Sequence, residues 1–262
     1  MISSEVMRLA VEFVCLFVLA QMWNLLAGYG GLVSIGQQAY IGIGGYTLFV
    51  LANGLHVNPF LCVLLGGIAA ALFAILNSRV LFGLSGGYFA VATWVVAEVY
   101  RLLVANVSAL GGGSGESLTA LIGIPKSTRE AITFGIAVAL LLATTGGVYV
   151  LLRSRLGLAL TAIRDSAIAA ESQGVDVART KLIVYLLAAF GAGCAGALYF
   201  LNALRISPDA ALLWRDAAEL HERLDHVTAA LKCWTRFVAL VPEGGAAERG
   251  RAAIAILRAR LN

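Results

Sequence analysis

Charge is scarce in this 262-residue sequence: Asp, Glu, Lys and Arg make up 13% of it, about half the share found in an ordinary soluble domain. That shortage excludes a disordered chain, which needs high charge and little apolar bulk. Proline is rarer still, at four residues, so a collagen-like repeat is excluded. The four cysteines, Cys15, Cys62, Cys194 and Cys233, form no CxxC pair. A disulfide-rich scaffold is therefore excluded, and neither a zinc site nor a redox pair is suggested. What is abundant is apolar bulk, at 60% of residues, with a mean hydropathy of +0.87. The composition points to an all-α, polytopic membrane protein.

The few charges are unevenly placed. Nineteen fall in residues 1–208 and fifteen in residues 209–262, so only the last stretch reaches a soluble density. This predicts a transmembrane region over 1–208 and a soluble helical tail over 209–262. The net charge of +4 forms no dense basic patch, so nucleic acid is not an expected partner. Most basic residues sit in short loops, where they set membrane orientation.

A bilayer crossing needs about 20 mostly apolar residues. Six such stretches are expected: residues 9–27, 28–52, 60–76, 88–107, 131–152 and 182–201. The first lacks a small-residue cleavage site and reads as a retained span rather than a signal peptide. The second is dense in glycine, from Gly28 to Gly45, and carries Ser34, Gln37 and Gln38. Such density weakens a helix, so a broken or re-entrant start is expected there, and five or seven spans follow if this segment is miscounted. Small residues also let helices approach closely in lipid. Arg153, Arg155, Arg164, Arg179 and Lys181 lie between the fifth and sixth spans. The positive-inside rule puts this loop, residues 153–181, in the cytoplasm, and alternation then puts Arg79 inside and Lys126, Arg129 and Arg205 outside.

Signs of catalysis are missing. His56, His221 and His226 have no partners suggesting a triad or a metal site. The run Gly111 to Ser117 resembles a phosphate loop but lacks its Gly-Lys-Ser/Thr end, so no ATP site is expected. Inside the fourth span, Glu98 and Arg101 are three residues apart on one helical face and can pair. A charge in lipid is costly, so the pair is expected either to fix helix packing, the favoured reading, or to serve a translocation path. Gln37, Gln38, Thr47 and Thr93 are further candidates for such a path, although polar residues between spans more often join helices.

The 153–181 loop is the most informative segment. Asp165 or Ser166 can cap a short Ala-rich helix over residues 167–173, and Gly174 ends it as a C-cap residue would. A short, capped helix between two spans is suited to present a rigid surface to a soluble partner.

Here the sequence resembles the permease subunits of branched-chain amino acid ABC importers. Their cytoplasmic loop carries an EAA-type motif ending in glycine, and Ile168-Ala169-Ala170 followed by Gly174 occupies it, with Ile168 where the general motif has Glu. Arg164-Asp165 and Glu171 match as well. Residues 24–36 and 42–46, Gly87-Tyr88-Phe89-Ala90 with Glu98 and Arg101, Gly111-Gly112, Gly123-Ile124-Pro125 and Ser207-Pro208 also resemble the family, so the likeness covers about residues 9–208. It implies a non-catalytic subunit without a cofactor, in a bacterial inner membrane. The implied partners are ABC ATPase subunits, a second homologous permease subunit and a periplasmic substrate-binding protein. Residues 164, 165, 168–171 and 174 would contact the ATPases.

The tail departs from that pattern, since family members continue with further spans. Trp214, Ala218, Ala230, Trp234 and Pro242 fall at tetratricopeptide-like spacings. Trp214, Leu220, Leu224, Leu231, Trp234, Phe237 and Leu240 are its expected apolar face. A truncated, inactive permease joined to an unrelated segment is one reading, and a true fusion is another. Two other function classes are a membrane anchor displaying the tail to a partner, and a secondary transporter working without ATP.

Overall fold

The computed structural model describes residues 4–107, 125–203, 208–223, 226–241 and 245–260. The glycine-rich run at 111–115, Gly123-Ile124, Arg205, Ser207, Leu224 and Pro242 lie outside them. The described residues are mostly helical and form two compact units, Met1–Ala203 and Leu204–Asn262.

Five helices of the first unit are long and apolar enough to cross a membrane: Glu5–Tyr29, Pro59–Leu81, Gly87–Ala105, Ser127–Arg153 and Val177–Ala203. In chain order the elements are α1 (Ser4–Trp23), which runs on as π-helix through Asn24–Tyr29, then α2 (Gln38–Phe49), α3 (Pro59–Leu81) and α4 (Gly87–Ala105). Next come α5 (Lys126–Arg153), α6 (Arg155–Asp165), α7 (Ala167–Ser172) and α8 (Val177–Ala203).

The second expected span differs from a regular crossing. Residues 30–37 are non-helical, and α2 continues only as π-helix over Val50–Gly54. From Gln38 to Gly54 that helix is roughly 25 Å long, short of a ~30 Å hydrocarbon core. The cause is local. The Gly30 amide reaches back to the Leu25 carbonyl at 3.2 Å and the Leu32 amide to Leu26 at 3.0 Å, bonds too long in register to continue an α-helix, and Gly31 takes φ +66°. Exposed backbone of this kind is not tolerated in lipid, and protein satisfies it here. Thr93 Oγ1 accepts from the Ile35 and Gly36 amides at 3.1 and 3.3 Å, and Trp23 Nε1 donates to the Ser34 carbonyl at 3.0 Å.

Helix α8 is the centre of this unit and packs on α1, α2 and α3. The packing is close because it is made of small residues. A Cβ at Gly44 would overlap the Gly193 carbonyl oxygen, and one at Gly196 would overlap Ile41 backbone. Gly66, Gly67 and Ala70 of α3 complete the crossing against Gly193, Cys194 and Ala197. In lipid such close approach takes the place of hydrophobic burial as the packing force. The pairings also fix direction. Tyr40, early in α2, meets Tyr185, early in α8, and Asn77, late in α3, while Gly45 faces Phe200, late in α8. Helix α2 therefore runs parallel to α8 and antiparallel to α3.

The second unit contains α9 (Pro208–Arg223), α10 (Val227–Leu240) and α11 (Gly245–Ala259). Ala218, Ala230, Cys233, Trp234, Phe237 and Leu257 form its core, and Trp234 Nε1 donates to Glu222 at 2.7 Å. The expected apolar face needs correction here. Leu220 is exposed, because α9 turns Ala218 into the core and a residue two positions on points roughly to the other side, and Trp214 is more than a third exposed.

Candidate functional site

Most of the candidate site residues fall in two features of the first unit: the segment between α5 and α8, and a groove beside α2.

The first is a chain of short, capped elements. Ser154 Oγ accepts from the Leu156 amide at 3.2 Å and starts α6. Ser166 leaves the helical region at φ −159°, and its Oγ accepts from the Ala169 amide at 3.2 Å to start α7. Asp176 Oδ1 accepts from the Arg179 amide at 2.9 Å at the start of α8. Between them Gly174, at φ +82°, turns the chain out of α7, and the Val175 amide bonds the Ala170 carbonyl at 3.1 Å. This 6→1-type closure around a left-handed glycine satisfies carbonyls that the helix end would otherwise leave bare. The expected cap at 165 or 166 is at Ser166.

Of the residues expected to meet a partner, Arg164, Asp165, Ile168, Ala169, Glu171 and Gly174 are exposed. Ile168 is 84% exposed, more than any other large apolar side chain among the described residues. Ala170 is different. At 3% exposure it faces its own chain, so it is not turned outward with the other residues of that set. The reason is helical spacing: with Ile168 turned out, a residue two positions on points roughly to the other side. Helix α6 is held in turn by buried Gly157, Leu160 and Ile163, and Arg164 lies against Gly31. The capped segment thus touches the glycine turn that precedes α2.

The groove, of about 690 Å³, lies between α2 and α4 with Phe73 of α3 at its edge. Of the five path candidates, Gln38, Thr47 and Glu98 line it. Gln37 and Thr93 do not. Both are buried, and Thr93 is occupied in holding the non-helical backbone. Glu98 and Arg101 pair as expected: Arg101 Nε donates to Glu98 Oε2 at 2.9 Å and Nη2 to Oε1 at 2.5 Å. Their side chains are 44% and 63% exposed and form part of the groove wall. Within this chain the two charges face the groove rather than a neighbouring helix.

One polar cluster escaped the sequence reading. The Tyr40 and Tyr185 hydroxyls are 2.6 Å apart, Asn77 Nδ2 donates to Tyr40 at 3.2 Å, and the Tyr100 hydroxyl donates to Asn77 Oδ1 at 2.8 Å. It ties α2, α3, α4 and α8 together just behind the groove. A polar Asn77 at the end of an apolar run was the available signal, but its partners are 23 and 37 positions away.

Comparison with known proteins places this arrangement. The high-affinity branched-chain amino acid transport system permease proteins LivM of Salmonella typhimurium and of Escherichia coli are each 26% identical to this chain over 235 residues. Each alignment covers 80% of this chain and 55% of the relative, so the chain spans about half the length of the curated relatives it matches. No solved structure matches. The family described as branched-chain amino acid transport system / permease component matches residues 6–215, four fifths of the sequence, from the first turn of α1 into α9, and the chain belongs to that family.

Proposed function

We propose that this chain is a membrane-spanning subunit of an ATP-driven importer for branched-chain or related hydrophobic amino acids in a bacterial inner membrane. ATP hydrolysis resides on separate ABC ATPase subunits, which dock on residues 153–181. A second homologous permease subunit and a periplasmic binding protein complete the assembly. Family membership and the relatives' names support the substrate class.

The observation that carries the coupling role is Ile168, a large apolar side chain held 84% exposed on a helix capped at both ends. An exposed isoleucine on a rigid, capped helix, with Leu158 of α6 also exposed in the same segment, is the kind of apolar anchor that fills a partner's pocket. The route inward also exists: α6 bears on Gly31, and the segment after Gly31 leads through the Thr93 contacts into α2. Closure of the ATPases would push α7, and the push would reach the helix that lines the groove. Helices α4 and α5 keep apolar faces open, including Tyr88, Trp94, Leu103, Leu142 and Val150, which suits burial against lipid and the second permease subunit.

The test is co-purification of the ATPase subunits with the full chain. Ile168→Glu places a charge in a docking pocket and should lower recovery about 10-fold or more, with the yield of the membrane subunit unchanged. Recovery equal to the unaltered chain would overturn the coupling role.

A further inference from the structure

Resting on the transport reading above, we propose that the groove between α2 and α4 binds the charged head of an aliphatic α-amino acid, with Glu98 receiving the ammonium group and Arg101 the carboxylate.

The two charges stand on a membrane-spanning helix and face an open groove, with side chains 44% and 63% exposed, and charges on such helices that face a cavity mark substrate pathways. The pair does not exhaust its own bonding capacity. Arg101 spends one hydrogen of Nε and one of Nη2 on Glu98. A guanidinium has five donors, so three remain. Glu98 accepts two bonds out of the roughly four its carboxylate can take. One face of the pair can therefore give a two-pronged grip to a carboxylate, and the other can accept from an ammonium group.

The neighbouring groups fit the same ligand. Thr47 Oγ1 donates to the Ile43 carbonyl at 2.7 Å, and the Tyr100 hydroxyl donates to Asn77. Each oxygen has its hydrogen engaged and presents lone pairs, so each can accept from an ammonium group and neither can donate to it. The remaining wall is mostly aliphatic and aromatic, with Ile43, Leu51 and Phe73 among its members. A volume of about 690 Å³ falls in the usual range for small-molecule sites.

Charge balance selects the occupant. A lone cation would be repelled by Arg101 and a lone anion by Glu98. A zwitterion meets each charge with its opposite, leaves the site neutral, and lays an apolar side chain against the apolar wall. The same balance accounts for two opposite charges three residues apart on a helix otherwise free of charge.

The experiment uses the full chain with its ATPase subunits in lipid nanodiscs and radiolabelled L-leucine as probe. Leucinol, which lacks the carboxylate, and 4-methylpentanoate, which lacks the amine, are the competitors. The unaltered complex should prefer L-leucine to either by about 10- to 100-fold, the worth of one hydrogen-bonded charge. Glu98→Gln should collapse the preference over 4-methylpentanoate and keep that over leucinol. Arg101→Gln should do the reverse. A pair that merely braces the helix would lower all three affinities together and leave the ratios unchanged, and that outcome overturns the proposal. So does an unaltered complex that carries its ATPases and binds no L-leucine. Co-purification of the ATPases separates the two readings: their absence from the unaltered chain would count against the importer assembly, while the ligand ratios would still decide the groove.

Discussion

Gly193 stands where α2, α3 and α8 meet, and its lack of a side chain is what allows them to meet. A Cβ there would come within 2.5 Å of the Ala70 Cβ and 2.7 Å of the Gly66 carbonyl oxygen. Neither neighbour is a flexible side-chain tip, so the strain cannot be relieved by a rotamer change. Gly193→Leu is expected to cost about 3 kcal/mol or more, at or above the upper end of ordinary overpacking, and to yield an aggregated or early-melting protein in detergent by size exclusion and thermal scanning. Gly146 of α5 is the contrast, because nothing lies within 4 Å of an added Cβ. Gly146→Ala should be neutral or stabilising by up to about 1 kcal/mol through helix propensity. Equal melting of the two variants would mean that the crossing is looser than these distances say. The same residue-scale logic separates Ala170 from Ile168: both belong to the motif, but only the exposed one is free to touch another protein.

At the scale of the element, the non-helical stretch before α2 depends on Thr93. Its hydroxyl accepts from two backbone amides and donates to the Ala90 carbonyl at 2.7 Å. Thr93→Val keeps the shape and removes both acceptor contacts, leaving two amides unpaired at a cost of about 1–3 kcal/mol each. Thr93→Ser keeps the oxygen and should melt within a few degrees of the parent. Thermal scanning of the full chain compares them, and a valine variant as stable as the serine one would refute the role given to the hydroxyl. Because Gly31 also touches Arg164, a loosened stretch should weaken the link between the capped segment and the groove. In the valine variant, ATP hydrolysis that no longer responds to amino acid would be the sign of it.

Across the whole molecule, the two units have separate cores, and their stabilities should be separable. Trp234 is 5% exposed in the second unit and packs on Phe237 with ring centroids 5.6 Å apart. Trp234→Ala should cost that unit about 3–5 kcal/mol, a large share of what so small a core supplies. Limited proteolysis of the full chain should then cut within 208–260 while residues up to 203 stay intact. ATPase co-purification should be unchanged, because the proposed docking residues belong to the first unit. A fall in ATPase recovery would assign the second unit a part in docking.

Much of this was legible in the sequence. Five apolar runs are long helices, the glycine-dense run at 28–52 is the irregular one, and Ser166 and Gly174 bracket the short helix they were expected to bracket. Runs, caps and positive-φ glycines depend on residues within a few positions of each other, so a linear reading reaches them. Which face each helix turns inward depends on partners far away in the chain. Tyr40 and Tyr185 meet across 145 positions, and Thr93 is claimed by backbone 57 and 58 positions earlier, which withdraws it from the groove that Gln38, Thr47 and Glu98 share. Helices of this composition are apolar almost all round, so hydrophobic periodicity gives no inward direction. Only the small-residue crossings of the tertiary structure decide it.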